Sequence, residues 1–160
     1  MKEEFALTPL PRSFYRRAAV TVAKDLLGKI IFHHTRQGIV AGRIVEVEAY
    51  TMNDPASHSF RGRTQRNDVM FWDGGYLYVY FTYGMHFCAN VVTGEPEVGE
   101  AVLIRAVEPL LGIERMMYQR FGKEETLSRS NLIQLTNGPA KFCEAFGITK
   151  KENGTDLLGQ

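Results

Sequence analysis

The 160-residue chain contains no apolar run near the roughly 18–20 residues that a membrane-spanning helix needs. It has no charged start leading into an apolar stretch, which is the mark of a secretory signal. It has only two cysteines, Cys88 and Cys143, neither in a CxxC pair and both beside apolar neighbours. That excludes a disulfide framework and reads as buried thiols in a reducing compartment. The four histidines, His33, His34, His58 and His86, lack ligand spacing, which argues against zinc or any other bound metal. Excess charge is also missing: 19 Lys+Arg against 18 Asp+Glu leave a net +1. A strongly basic binder is excluded, and bulk charge gives nucleic-acid binding no support. Repeats, low-complexity tracts and linkers are absent. With 44% apolar and 23% charged residues, the chain reads as one globular domain, cytoplasmic and clear of membranes.

The chain opens with a proline-punctuated extended arm, Thr8-Pro-Leu-Pro11. Residues 13–27 are helical in pattern and stop at Gly28. Residues 29–34 and 39–50 read as strands around a turn at Arg36-Gln37-Gly38. Residues 51–70 are polar and aperiodic, a surface loop long enough to suggest function. Strands follow at 76–81, 85–93 and 101–107, the first two joined by the turn Thr82-Tyr83-Gly84. Residues 109–121 read as a helix, and a shorter helix starts at Gly138-Pro139 and stops at Gly147. Without βαβ alternation, this order predicts an α+β domain with a curved, largely antiparallel sheet, flanking helices and a protruding β-hairpin.

Strand parity sorts the candidate residues. In Gly42-Arg-Ile-Val-Glu-Val-Glu-Ala-Tyr50 the odd positions Val45, Val47 and Ala49 make an apolar face, and Glu46, Glu48 and Tyr50 share the other. Two carboxylates and a tyrosine fit a solvated sheet surface or a lined cleft; paired carboxylates also cleave glycosidic bonds. Nine of the 18 aromatics fall between Phe60 and Phe87. Tyr76, Tyr78 and Tyr80 share a face opposite Leu77, Val79 and Phe81. Such tyrosines either cap the wet margin of a core or stack on a planar ligand. Tyr83 at a hairpin tip suits a wedge between base pairs. Asn90 shares a face with His86 and Cys88. Arg105 interrupts an apolar strand and must be paired or face a polar cavity. It either bridges to Glu46 or Glu48 for stability or holds a catalytic carboxylate or its water. From Pro55 to Asn67 there are three arginines and no acid, a local basic footprint beside the tyrosine hairpin.

From about Pro9 to Leu158 the sequence resembles the alkyladenine (3-methyladenine) DNA glycosylase family of bacteria and mammals. The resemblance rests on Asp25-Leu-Leu-Gly28, Gly42-Arg-Ile-Val-Glu-Val-Glu-Ala-Tyr50, His58-Ser59, Met70-Phe71, Leu77-Tyr-Val-Tyr80, Tyr83-Gly-Met85, Asn90, Leu103-Ile-Arg-Ala-Val-Glu-Pro109 and Gly138-Pro-Ala-Lys141. It implies a DNA repair hydrolase that flips damaged purines out of double-stranded DNA and works as a monomer without a cofactor. Glu48 would be the general base that activates a water, with Arg105 holding that water. Tyr50 and Tyr80 would sandwich the base, His58 would hydrogen-bond it, and Asn90 would reject the 2-amino group of guanine. Tyr83 would fill the gap in the duplex, with Met85 supporting the hairpin in the minor groove. Phosphate contacts are expected from Arg61, Arg63, Arg66 and Lys141. No lysine accompanies Glu48 on its strand, which points to a monofunctional enzyme. Two departures stand out: His86 replaces an aromatic, and the family continues for several tens of residues past Asp156-Leu-Leu158. The whole of 1–160 is therefore read as one glycosylase domain short of that C-terminal segment, with its fold intact. Two other readings remain, a non-catalytic nucleic-acid binding module of the same fold and a small-molecule nucleosidase. The presence of both Glu48 and Arg105 argues against the first, and Tyr83 with the loop arginines argues against the second.

Overall fold

A computed structural model describes residues 8–122 and 126–159; the remaining positions of the 160-residue chain lie outside the described residues. Five strands form one antiparallel sheet in the order β1-β2-β5-β4-β3: β1 Ile30–Thr35, β2 Gly38–Tyr50, β3 Leu77–Thr82, β4 His86–Thr93 and β5 Glu100–Leu111. The helices are α1 Arg12–Tyr15, α2 Ala19–Leu26, α3 Ile113–Phe121, α4 Arg129–Gln134 and α5 Pro139–Phe146. The α+β class, the antiparallel sheet and the hairpin between β3 and β4 are as the sequence predicts.

The sheet buries both faces, but against different partners. One face carries Val47, Ala49, Leu77, Val79, Ala89, Val91, Val102 and Ile104 against the helices. Ala19, Val22, Ala23 and Leu26 of α2 are buried at helical spacing, and Phe142 and Phe146 of α5 are fully buried. Val22, Leu26, Phe142 and Phe146 each contribute about 1.5–3 kcal/mol by leaving water. The other face carries Tyr78, Val92 and Ala101 against Val69, Met70 and Phe71 of the loop that follows β2.

Paired irregularities in β2 and β5 decide which residues reach the second face. Ile44 pairs with Val107, Glu46 with Ala106, and Val47 with Ile104. Val45 on one strand and Arg105 on the other are thus skipped, a bulge on each side of the Glu46–Ala106 pair. On one side of this point Val40, Ile44 and Val107 point into the helical core; on the other side the core residues are Val47, Ala49, Val102 and Ile104. The parity changes in both strands at once. Val45, expected in the apolar face, is therefore exposed at 52%. One extra residue sends the following side chains to the opposite face.

Three further expectations need correction. Residues 13–27 form two helices instead of one, because the Tyr15 carbonyl accepts the Gly94 N–H at 2.9 Å and a helix cannot continue through it. Gly74 makes this approach possible, since a Cβ there would lie 2.6 Å from the Tyr15 carbonyl oxygen. Pro109 belongs to β5 rather than to a helix, and α3 begins only after Gly112, which sits at φ 76°. Pro109 pairs with Gly42 at a register shift, where a missing ladder N–H is tolerated. Tyr76 precedes β3: its ladder pairing is an isolated bridge to Asp156, and its carbonyl accepts the Val92 N–H at 2.9 Å. The α4 helix, capped by the Ser128 hydroxyl, has too few apolar residues to declare itself in the sequence.

Candidate active site

The cavity of interest lies on the tyrosine face. Its lining is Tyr50 from β2, Tyr78 and Tyr80 from β3, Asn90 from β4, and Ala56, His58 and Met70 from the loop above them. It holds about 50 Å³, room for one or two waters at roughly 30 Å³ each. The floor is set by strand register: Tyr78 lies opposite Asn90 and Tyr80 opposite Cys88. The Asn90 amide donates to the Tyr78 carbonyl at 3.2 Å, which fixes its orientation.

The roof is residues 51–70. They form a surface loop, as the sequence suggests, exposed over most of its length but anchored by a few buried residues. Ser57, Ser59 and Asn67 are buried, and residues 68–71 form a 3-10 turn. The Ser59 hydroxyl donates to the Gly99 carbonyl at 2.6 Å. Asn67 accepts from Thr64 N–H and donates to the carbonyls of His58 and Gly62. These bonds replace a ladder and hold His58 over the floor. There His58 Nδ1 and the Tyr78 hydroxyl share a hydrogen bond of 3.0 Å, and the imidazole sits edge-on to Tyr80, 4.4 Å between centroids.

Burial, followed by the charge of Arg66, holds the His58 pKa below its ordinary 6.5, so the ring is neutral at neutral pH. Burial also pushes Tyr78 up to about 12 and raises Tyr80 and Cys88. Neutral rings line the cavity.

Beside it lies a chain of charges. Arg105 Nη1 is 3.0 Å from Glu48 Oε1, and Arg105 Nε donates to Glu46 Oε1 at 3.1 Å. The Tyr50 hydroxyl donates to Glu48 Oε2 at 2.6 Å. That bond, together with burial, raises Tyr50 to about 12. Tyr50 belongs to both the cavity and the charged chain, so it joins them. A half-exposed carboxylate at the edge of an aromatic pocket, steadied by an arginine, can take a proton from water at one edge of a planar ligand.

The hairpin projects from the same strands. Tyr83 is 91% exposed and Met85 69%. Tyr83 and Gly84 both have positive φ, 52° and 68°, and the Met85 N–H returns to the Thr82 carbonyl, as in a mirror-image hairpin turn.

The cations are placed less uniformly. Arg61 is exposed and makes no hydrogen bond or ion pair among the described residues. Arg66 donates to the Phe81 carbonyl at 3.0 Å. Arg63 is engaged by Asp68 and Glu97 at 2.7 Å each. Lys141 donates to Asn137 Oδ1 from α5, the helix packed on the opposite face of the sheet. The structure thus brings Glu48, Arg105, Tyr50, His58, Tyr80 and Asn90 together, sets Tyr83 and Met85 on the hairpin, and leaves Lys141 apart.

Tyr78, Met70 and Ala56 also line the cavity without having been singled out as site residues. Tyr78 was visible in the tyrosine parity row. The other two depend on how the loop folds back, which no periodicity records. Among the described residues no cluster of three or more His, Cys, Asp or Glu side chains is arranged to hold a metal ion, and no helix is long and apolar enough to cross a membrane.

An aromatic cavity bordered by a carboxylate, with a tyrosine-tipped hairpin nearby, suits a planar ligand with a proton acceptor at its edge. Comparison with known proteins agrees: residues 13–160 match the profile of the methylpurine-DNA glycosylase family. The chain belongs to that family, and it is accordingly a DNA glycosylase, a hydrolase of N-glycosyl bonds in the repair of alkylation damage. A protein of Methanoculleus marisnigri named "Putative 3-methyladenine DNA glycosylase" is 53% identical over 148 residues, covering 92% of this chain and 73% of its own length. Proteins with the same name from Carboxydothermus hydrogenoformans and Francisella tularensis are 50% and 48% identical, over 94% and 89% of this chain and 75% and 70% of their own lengths.

Proposed function

We propose that this glycosylase is monofunctional and removes alkylated or deaminated purines, such as 3-methyladenine, 7-methylguanine, hypoxanthine and ethenoadenine, from duplex DNA. Tyr83 enters the base stack, with Met85 beside it in the minor groove, and the damaged nucleotide turns outward. Damaged pairs open more cheaply, which is the first source of selectivity. The base enters between the rings of Tyr50 and Tyr80. Electron-rich ring faces favour a methylated, positively charged purine by about 0.5–2 kcal/mol. His58 hydrogen-bonds the base edge, and Asn90, rigid on its strand, leaves no room for the 2-amino group of guanine.

Glu48 takes a proton from a water positioned with the help of Arg105. The water oxygen attacks C1′, the bond from C1′ to the purine nitrogen breaks, and the electron pair leaves with the base. Of the four cations, Arg61 is the readiest phosphate ligand because it has no competing partner among the described residues. Arg63 must first leave two carboxylates, and Arg66 and Lys141 must give up one neutral acceptor each.

The observation that carries this reading is the double attachment of Tyr50, whose ring lines the cavity while its hydroxyl binds Glu48. Duplex oligonucleotides carrying each lesion test it. The native chain releases free base, and Glu48→Gln loses at least ~10²-fold, the scale of a general base. Unchanged release by Glu48→Gln would remove that role from Glu48.

A further inference from the structure

We propose that Glu46 is a positioning residue for the reaction. Its task is to keep Arg105 from closing on both oxygens of Glu48. This rests on the role given to Glu48 above.

A guanidinium presents a planar fork of N–H groups, and beside a single carboxylate it tends to bind both oxygens. Here the fork is divided. Arg105 Nε goes to Glu46 at 3.1 Å, and Nη1 goes to Glu48 Oε1 at 3.0 Å. Glu48 Oε2 is left to the Tyr50 hydroxyl. With Glu46 in place, one oxygen of Glu48 anchors the arginine and the other remains available to a neutral donor, as a water-activating carboxylate requires. Without it, nothing among the described residues holds Nε away from Glu48.

The backbone is shaped to make this division. The bulges at Val45 and Arg105 flank the Glu46–Ala106 pair, and they set the arginine stem between the two glutamates. Glu46 is 60% exposed and is not among the residues that line the cavity. An ion pair so exposed contributes little to stability. Its value to the enzyme is therefore in directing Arg105.

The test compares Glu46→Gln with Glu46→Ala. Both remove the charge, so both change DNA attraction equally, but only glutamine keeps an oxygen that accepts from Arg105 Nε. Single-turnover excision of hypoxanthine from a duplex is measured with DNA affinity and thermal melting. Glu46→Gln should remain within about threefold of the native rate and Glu46→Ala should fall at least tenfold, while affinity and melting temperature match between the two. Equal rates for the two variants, whether both native or both reduced, would overturn the proposal. Glu48→Gln is measured alongside. If it excises base at the native rate, the failure lies in the role of Glu48. If it is inactive while Glu46→Ala is native, the failure lies in the role of Glu46 alone.

Discussion

The Tyr50 hydroxyl donates to Glu48 Oε2 at 2.6 Å while the ring of the same tyrosine lines the aromatic cavity. One side chain therefore has two separable contributions, and two substitutions separate them. Tyr50→Phe keeps the ring and removes the donor. Glu48 loses its second anchor, and single-turnover excision should fall by about 10- to 100-fold, the scale of small misplacements, with affinity for lesion DNA nearly unchanged. Tyr50→Ala should lose affinity as well, by about 1–3 kcal/mol of stacking. Equal kinetics for the two variants would mean that the hydroxyl has no part.

A second outcome concerns acid. The His58 pKa is held below 6.5, first by burial and then by Arg66. The folded value lies below the unfolded one, so between them the unfolded chain binds more protons and stability rises with pH. The neutral imidazole contributes fully above about pH 6.5, and its contribution is lost as the pH falls below that. Denaturant titrations at about pH 7 and 5 should show native protein losing more stability on acidification than His58→Gln. The charged groups nearest the ring, Arg66 above all, make the loss larger at low salt.

Salt dependence distinguishes the loop arginines. A phosphate contact adds roughly 0.9 to the slope of log affinity against log salt. With Arg61 unengaged and Arg63 tied to Asp68 and Glu97, Arg61→Ala should lower the slope by about one. Arg63→Ala should change it less and should also weaken the loop. A total slope of a few, not ten, fits a net charge of +1. Filter binding over a salt series measures all three.

Most of the site is written in the alternation of its strands. Tyr78, Tyr80, Asn90, Glu48 and Tyr50 share a face because side chains on a ladder alternate, and that rule needs no knowledge of the partner strand. It failed at Val45, because a bulge depends on what lies across the strand, here Arg105, and neither residue advertises it. It also failed where the chain stops a helix for a distant reason, as Tyr15 does to meet Gly94. The loop arginines looked alike in sequence. Only folding separates Arg61, which faces solvent alone, from Arg63, whose acids come from positions 68 and 97. Met70 and Ala56 line the cavity because the loop folds back, held by Asn67 within the loop and by Ser59 on the distant Gly99, bonds that leave no periodic trace.

The floor and roof of the cavity are fastened by different means, and so they can change at different speeds. A substitution in the floor disturbs a ladder shared by five strands. The roof is secured to the body through Ser59 on the Gly99 carbonyl, His58 on the Tyr78 hydroxyl, Arg66 on the Phe81 carbonyl and the packing of Val69 and Met70 on the sheet, and it is closed on itself by Asn67. Segments between these fasteners can lengthen or exchange side chains at little entropic cost while the reacting groups stay in place. Under the roles proposed above, chemistry is thus divided from tailoring: the roof can be refitted to a new lesion while the strand-borne carboxylate, arginine and tyrosines stay unaltered.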